Sequence, residues 1–169
     1  MFKLVVGGFL CGVAGVVVFL EGFTEVMRFA LPLLDAFFRY PVKLSPDHTA
    51  WSLLPVAPLG VPQLLYLCFW GGIWALVLAG LIRFAHMPDL LTGFLLGAVV
   101  CTAVGFTLQA GALGAQSWTG KLLPAWLAMA LTNGVWGWGT AGLMRAAGVA
   151  GDRQPLPRRR EQGLSRPPA

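Results

Sequence analysis

Apolar residues along this chain gather into four long runs, set apart by short polar or proline-rich stretches. The first extends from Leu4 to Leu20 and is carried on by Gly22 and Phe23; the others are Gln63–Ile82, Leu90–Ala110 and Leu122–Met144. Each approaches the roughly 20 residues that a helix needs to cross about 30 Å of hydrocarbon. Lys3, Glu21, Arg83, Asp89, Lys121 and Arg145 stand at the edges of these runs. A charge at the bilayer centre costs about 2.5–3.5 kcal/mol even on the mild insertion scale, so this bracketing is what membrane spans require. The short alternating strands of a closed barrel, the other spanning solution, have no counterpart here. The pattern predicts an all-α integral membrane four-helix bundle, with spans at about 4–23, 63–82, 90–110 and 122–144. Residues 1–148 form the membrane domain.

The first run begins like a secretory signal, but it is longer than a cleavable apolar core of about 7–15 residues. It ends in Phe19-Leu20-Glu21-Gly22-Phe23, with no small-x-small site. It reads as a retained helix. The segment 24–62 is the large outer loop. Its first half, from Val26 to Arg39, mixes apolar and charged residues and predicts a short interfacial helix that Pro32 kinks or divides. Its second half holds Pro41, Pro46, Pro55, Pro58 and Pro62 and predicts an extended cap without regular structure. Trp51 and Trp118 suit the headgroup belt. Residues 149–169, rich in Arg and Pro, read as a disordered basic tail.

Charge then sets the orientation. Lys3, Arg83, Arg145, Arg153, Arg158, Arg159, Arg160 and Arg166 fall on one side of a four-span layout, against Arg28, Arg39, Lys43 and Lys121 on the other. The positive-inside rule places both termini in the cytoplasm. Composition agrees: 57% of residues are hydrophobic and 11% charged, against about 25% charged in soluble domains. The net charge of +5 is thus a topology signal. It gives no reason to expect a nucleic-acid partner.

The ends of spans two and four match without a gap. Residues Gly71 to Arg83 lie over Asn133 to Arg145 with six of thirteen positions identical, among them Trp74 over Trp136 and Arg83 over Arg145. Gly8-Phe9-Leu10-Cys11-Gly12 lies more loosely over Gly93-Phe94-Leu95-Leu96-Gly97. Two echoes in the same order suggest a duplicated helical hairpin, a parallel repeat since each unit has two spans. Helices in lipid pack through small residues, so Gly8, Gly12, Gly71, Gly72, Gly93, Gly97, Cys101, Gly105 and Gly134 mark the expected contact ridges, within one bundle or between protomers. Trp70 and Trp74 share a face of span two and are expected over the glycines of span four, with Trp136 the counterpart of Trp74.

Reacting groups are scarce. Cys11, Cys68 and Cys101 lie in different spans without a paired sulfur, and read as small apolar residues. His48 and His86 fall in opposite extramembrane regions. No phosphate loop, nucleophile elbow or zinc-protease helix is present, so no cofactor, metal or catalytic residue is expected. Asn133 is the most unusual polar residue within a span, expected as interhelical glue. Glu21 and Glu25, four residues apart at the outer end of span one, read as an interfacial pair of solvated carboxylates, with a cation entrance as the alternative.

The segments Pro58-Leu59-Gly60-Val61-Pro62, Phe69-Trp70-Gly71-Gly72-Ile73-Trp74 and Asn133-Gly134-Val135-Trp136-Gly137-Trp138-Gly139-Thr140 resemble a family of small, uncharacterised four-span proteobacterial inner-membrane proteins. The resemblance covers roughly residues 5–145. Where that family often has Phe-His-Gln-Gly, this chain has Phe19-Leu20-Glu21-Gly22, so any role of that His is missing. The resemblance implies a bacterial inner-membrane address and imports no substrate. The expectation is a binding or assembly component that touches the lipid bilayer, as a homo-oligomer or with a membrane-protein partner. A small transporter or channel component is the alternative, and an enzyme is not expected.

Overall fold

The structure, a computed structural model, describes residues 2–38, 50–56, 59–84, 88–109 and 123–149. The tail beyond Val149, His48, His86, Trp118 and Lys121 lie outside the described residues.

The first helix comprises α1 (Phe2–Gly15), a π-helical stretch at Val16–Leu20, and α2 (Glu21–Phe38), without interruption. The expected short interfacial helix is therefore not separate. It is the continuation of the first span, and Pro32 lies inside α2 without dividing it. A two-residue hairpin follows, β1 (Pro55–Val56) antiparallel to β2 (Val61–Pro62), pairing Val56 with Val61. This corrects the expectation of an irregular cap. Gly60 supplies the positive φ of 66° that the turn requires, cheap only for a residue without Cβ.

The second helix, α3 (Gln63–Phe84), starts directly from this hairpin. Its first amides, which have no partner within the helix, are taken up by the cap: Gln63 N–H donates to Leu54 O at 2.9 Å and Leu64 N–H to Ser52 O at 3.0 Å. The third helix is α4 (Asp89–Leu95), a π stretch at Leu96–Cys101, α5 (Thr102–Val104) and a second π stretch at Gly105–Gln109. Asp89 sits in its first turn, where a carboxylate favours the helix dipole. The fourth is α6 (Leu123–Ala146). It ends at Gly148 with φ 64°, where Val149 N–H reaches Met144 O and Gly148 N–H reaches Arg145 O. That pair of bonds closes a Schellman motif.

The helices pack as two hairpins, α1 on α3 and α4 on α6, and α6 also lies along α1. One buried core runs between them, formed by Val16, Ala75, Leu78, Ala79, Ile82, Leu96, Trp136, Ala141 and Met144. The outward surface is apolar as well. Val18 and Leu10, Leu65 and Phe69, Leu91 and Val99, and Leu127 and Trp138 are exposed on the four helices in turn. Three helical segments, Phe2–Ala30, Gln63–Arg83 and Asp89–Thr107, are long and apolar enough to cross a membrane. The fourth helix is as long but less apolar, because Asn133 and its Trp and Gly residues dilute it.

Candidate functional site

Of the glycines named by the sequence, Gly8, Gly12, Gly71, Gly72, Gly93, Gly97 and Gly134 are packed within the chain. Between α1 and α3, a Cβ added at Gly12 would strike Gly71 O and the Ala75 side chain, and one at Gly72 would strike the Phe9 ring. Between α4 and α6, a Cβ at Gly97 would strike Asn133 O, and one at Gly93 would strike Gly137 O. Backbones touch directly along both seams, the close approach that small residues permit in lipid. Corresponding positions make corresponding contacts. Phe9 over Gly72 is matched by Phe94 over Gly134, and Gly12 on Gly71 by Gly97 on Asn133. Likewise Gly8 opposite Ala79 is matched by Gly93 opposite Ala141.

Polar side chains join the same seams. Asn133, half-buried on α6, donates from Nδ2 to Thr102 Oγ1 at 3.0 Å. Thr102 is buried and donates from Oγ1 to Gly97 O at 3.2 Å. A threonine in an α-helix bonds back three or four residues. Here the acceptor lies five residues back, within reach because Leu96–Cys101 is π-helical. The sequence singled out Asn133 and Gly97 but missed Thr102. Its only signal was a hydroxyl immediately after Cys101, beside the Gly93, Gly97, Cys101 ridge. Cys101 itself is partly buried against the core, and Gly105 opens the second π stretch.

The tryptophans do not act as expected. Glycines of α6 are met by Phe94, Gly93, Phe19 and Leu90 rather than by Trp70 or Trp74. Trp70 makes edge-on contacts with Tyr66 and Phe69 on its own helix, at ring separations of 6.3 and 5.9 Å. Trp74 packs partly buried against the core. The crossing runs the other way: Trp136 donates from Nε1 to Gly12 O at 3.4 Å and lies 3.6 Å from where a Cβ on Gly71 would stand. Thr140 follows one turn later, fully buried, its Oγ1 pressed against Gly15 with no hydrogen-bond partner among the described residues.

The acidic pair divides. Glu25 forms an exposed ion pair with Arg28 at 3.5 Å, worth under about 1 kcal/mol. Glu21, instead of being solvated, is 5% exposed. Its Oε2 accepts the Trp51 backbone N–H at 2.8 Å, and Trp51 Nε1 donates to Val17 O at 3.1 Å. Those two bonds hold Trp51 at φ 54°, a conformation costing about 1–3 kcal/mol for a side chain of this bulk. Hydrogen bonds to a charged group contribute about 1.5–3 kcal/mol, enough to offset that cost. The cap is thus fastened to the first helix beside its π stretch. Sequence reading found Glu21 and Trp51 separately. Nothing in a spacing of thirty residues joins them.

Among the described residues, no three of His, Cys, Asp and Glu gather as metal ligands would. No family profile, curated protein or solved structure matches the chain.

Proposed function

We propose that this chain is an integral protein of the bacterial inner membrane, with four spans, both termini cytoplasmic, that works as a binding or assembly component. The observation that carries this reading is the chain of hydrogen bonds from Asn133 through Thr102 to Gly97 O. It makes the Asn133 amide a lock between the third helix and α6. A polar residue on a substrate path would face a cavity instead. The matching contacts of the two hairpins support a duplicated, parallel repeat. The fourth span tolerates its lower hydropathy because α1 and α4 both cover it. With the glycine ridges filled inside the chain, the surface left for a second copy or another membrane protein is the outward apolar face.

A small transporter or channel component is the second reading, favoured by one observation, the buried acid Glu21 within the first apolar segment. Photo-crosslinking from positions 99, 131 and 138 in native membranes tests the first reading. A discrete protein adduct, reproduced from one of these faces, is the expected result. Lipid adducts alone from all three positions would overturn it.

A further inference from the structure

The cap at residues 50–62 carries more exposed apolar surface than a periplasmic loop has reason to show. Leu53 is 69% exposed, Leu54 59% and Leu59 78%, with Trp51 beside them. Its depth follows from the helix it is fastened to. Val17 lies fourteen residues beyond Lys3 and Glu21 eighteen, about 21 and 27 Å along a helix rising 1.5 Å per residue. Hydrocarbon about 30 Å thick, starting at the inner-face charges Lys3 and Arg83, therefore reaches past Val17 and Glu21 on the first helix and ends level with Gln63, twenty residues or about 30 Å before Arg83 on α3. Tilt of the helix only brings the cap deeper. Exposed Leu65 and Phe69 on α3 continue directly from the hairpin, so its apolar rim extends the belt that the helix turns to lipid.

Non-helical backbone survives at that depth only where its polar groups are satisfied. Several of its groups meet that condition, the Leu53 and Leu59 amides being left without an acceptor among the described residues. Pro55, Pro58 and Pro62 carry no N–H. The amides of Trp51, Leu54, Gly60, Gln63 and Leu64 find Glu21, Ser52 Oγ, Val56 O, Leu54 O and Ser52 O. The Trp51 indole, whose N–H draws most tryptophans to the wet headgroup level, already has Val17 O as its acceptor.

We propose that residues 50–56 and 59–62 form a re-entrant cap immersed in the outer leaflet, with Trp51, Leu53, Leu54 and Leu59 in contact with acyl chains. Glu21 is sealed beneath it from the periplasm. The proposal rests on the membrane reading above, and its test keeps the two apart. Spin labels at Leu53→Cys, Leu54→Cys and Leu59→Cys, and at Leu65→Cys and Phe69→Cys on α3, go into full-length chains in which Cys11, Cys68 and Cys101 are alanine. In phosphatidylethanolamine–phosphatidylglycerol vesicles, collisions with oxygen report lipid and collisions with a water-soluble nickel chelate report solvent. Oxygen is expected to exceed the chelate several-fold at all five positions. Chelate dominance at 53, 54 and 59, with 65 and 69 still oxygen-rich, overturns the cap proposal and leaves the spans standing. Chelate dominance at all five overturns the membrane reading itself. Low collision with both reagents at the cap means protein covers it and also defeats the proposal. A second measurement needs no cysteine removal: benzoylphenylalanine at position 59 of the otherwise native chain should yield lipid adducts by mass, and a failure to do so counts against immersion.

Discussion

Replacing Gly97 with alanine adds one methyl group where the third helix meets α6 backbone to backbone. The new Cβ would overlap Asn133 O, and would lie 2.7 Å from that residue's carbonyl carbon and 3.2 Å from the Gly134 Cα. All three neighbours are backbone, so no flexible side chain can swing aside. The helices must part, and overpacking of this kind costs about 1–3 kcal/mol. Parting them also stretches the Asn133–Thr102 bond, since Thr102 is tied to Gly97 O, and interhelical bonds of this sort average about 0.6 kcal/mol. The expected loss is therefore about 2–4 kcal/mol, read as a shift in reversible unfolding by sodium dodecyl sulfate in bicelles. Gly80 and Gly22 provide the control, for a Cβ at either meets nothing within 4 Å. Alanine there should leave stability unchanged or raise it by about 0.4–1 kcal/mol through the unfolded chain. Should Gly97→Ala and Gly80→Ala shift the transition equally, direct backbone contact is not what holds the seam.

The other predictions follow the same contacts. Alanine at Gly72 and at Gly134 should destabilise alike, by about 1–3 kcal/mol each, because each meets a phenylalanine ring at the corresponding place; a wide gap in the same unfolding assay breaks the repeat. In a double-mutant cycle, Asn133→Leu and Thr102→Val should couple by about 0.6–1.7 kcal/mol, and independent effects would remove Asn133 as an interhelical lock. Glu21→Leu should speed hydrogen exchange of the Trp51 amide about 10- to 100-fold, the equivalent of roughly 1.5–3 kcal/mol, whereas Glu21→Gln, which keeps a carbonyl acceptor, should change it far less. Green fluorescent protein fused after Ala169 should fluoresce and alkaline phosphatase there stay inactive; the reverse would show that α6 does not cross.

The second and third helices were legible as long apolar segments because Arg83 and Asp89 mark their facing ends, and hydropathy needs little else. The first span was legible at its start and misleading at its end. Glu21 and Gly22 look like a boundary from hydropathy alone, and only tertiary contact shows that Glu21 has a partner inside. Helical periodicity likewise cannot tell a new helix from one that continues, so the extension of α2 through Pro32 went unread. The ridge glycines were identified by spacing. Which ridge meets which was not, because a four-residue repeat fixes a face and leaves the facing helix undetermined. The π stretches have no composition that marks them. The cap hairpin did leave a trace, Gly60 between Leu59 and Val61-Pro62, lost among prolines that suggested an extended cap without regular structure.

The bond between Glu21 and Trp51 also has a history during synthesis. Its two ends are thirty residues apart, about 1.5–6 s of elongation at roughly 5–20 residues per second. For that interval the acid has been made and its donor has not. On the membrane reading proposed above, the first helix reaches the lateral exit of the translocon with an unpartnered carboxyl near its outer end. It can take up its final depth only once the loop emerges and folds back. Birth order thus imposes a waiting step: the segment that arrives first is the one whose position is decided later.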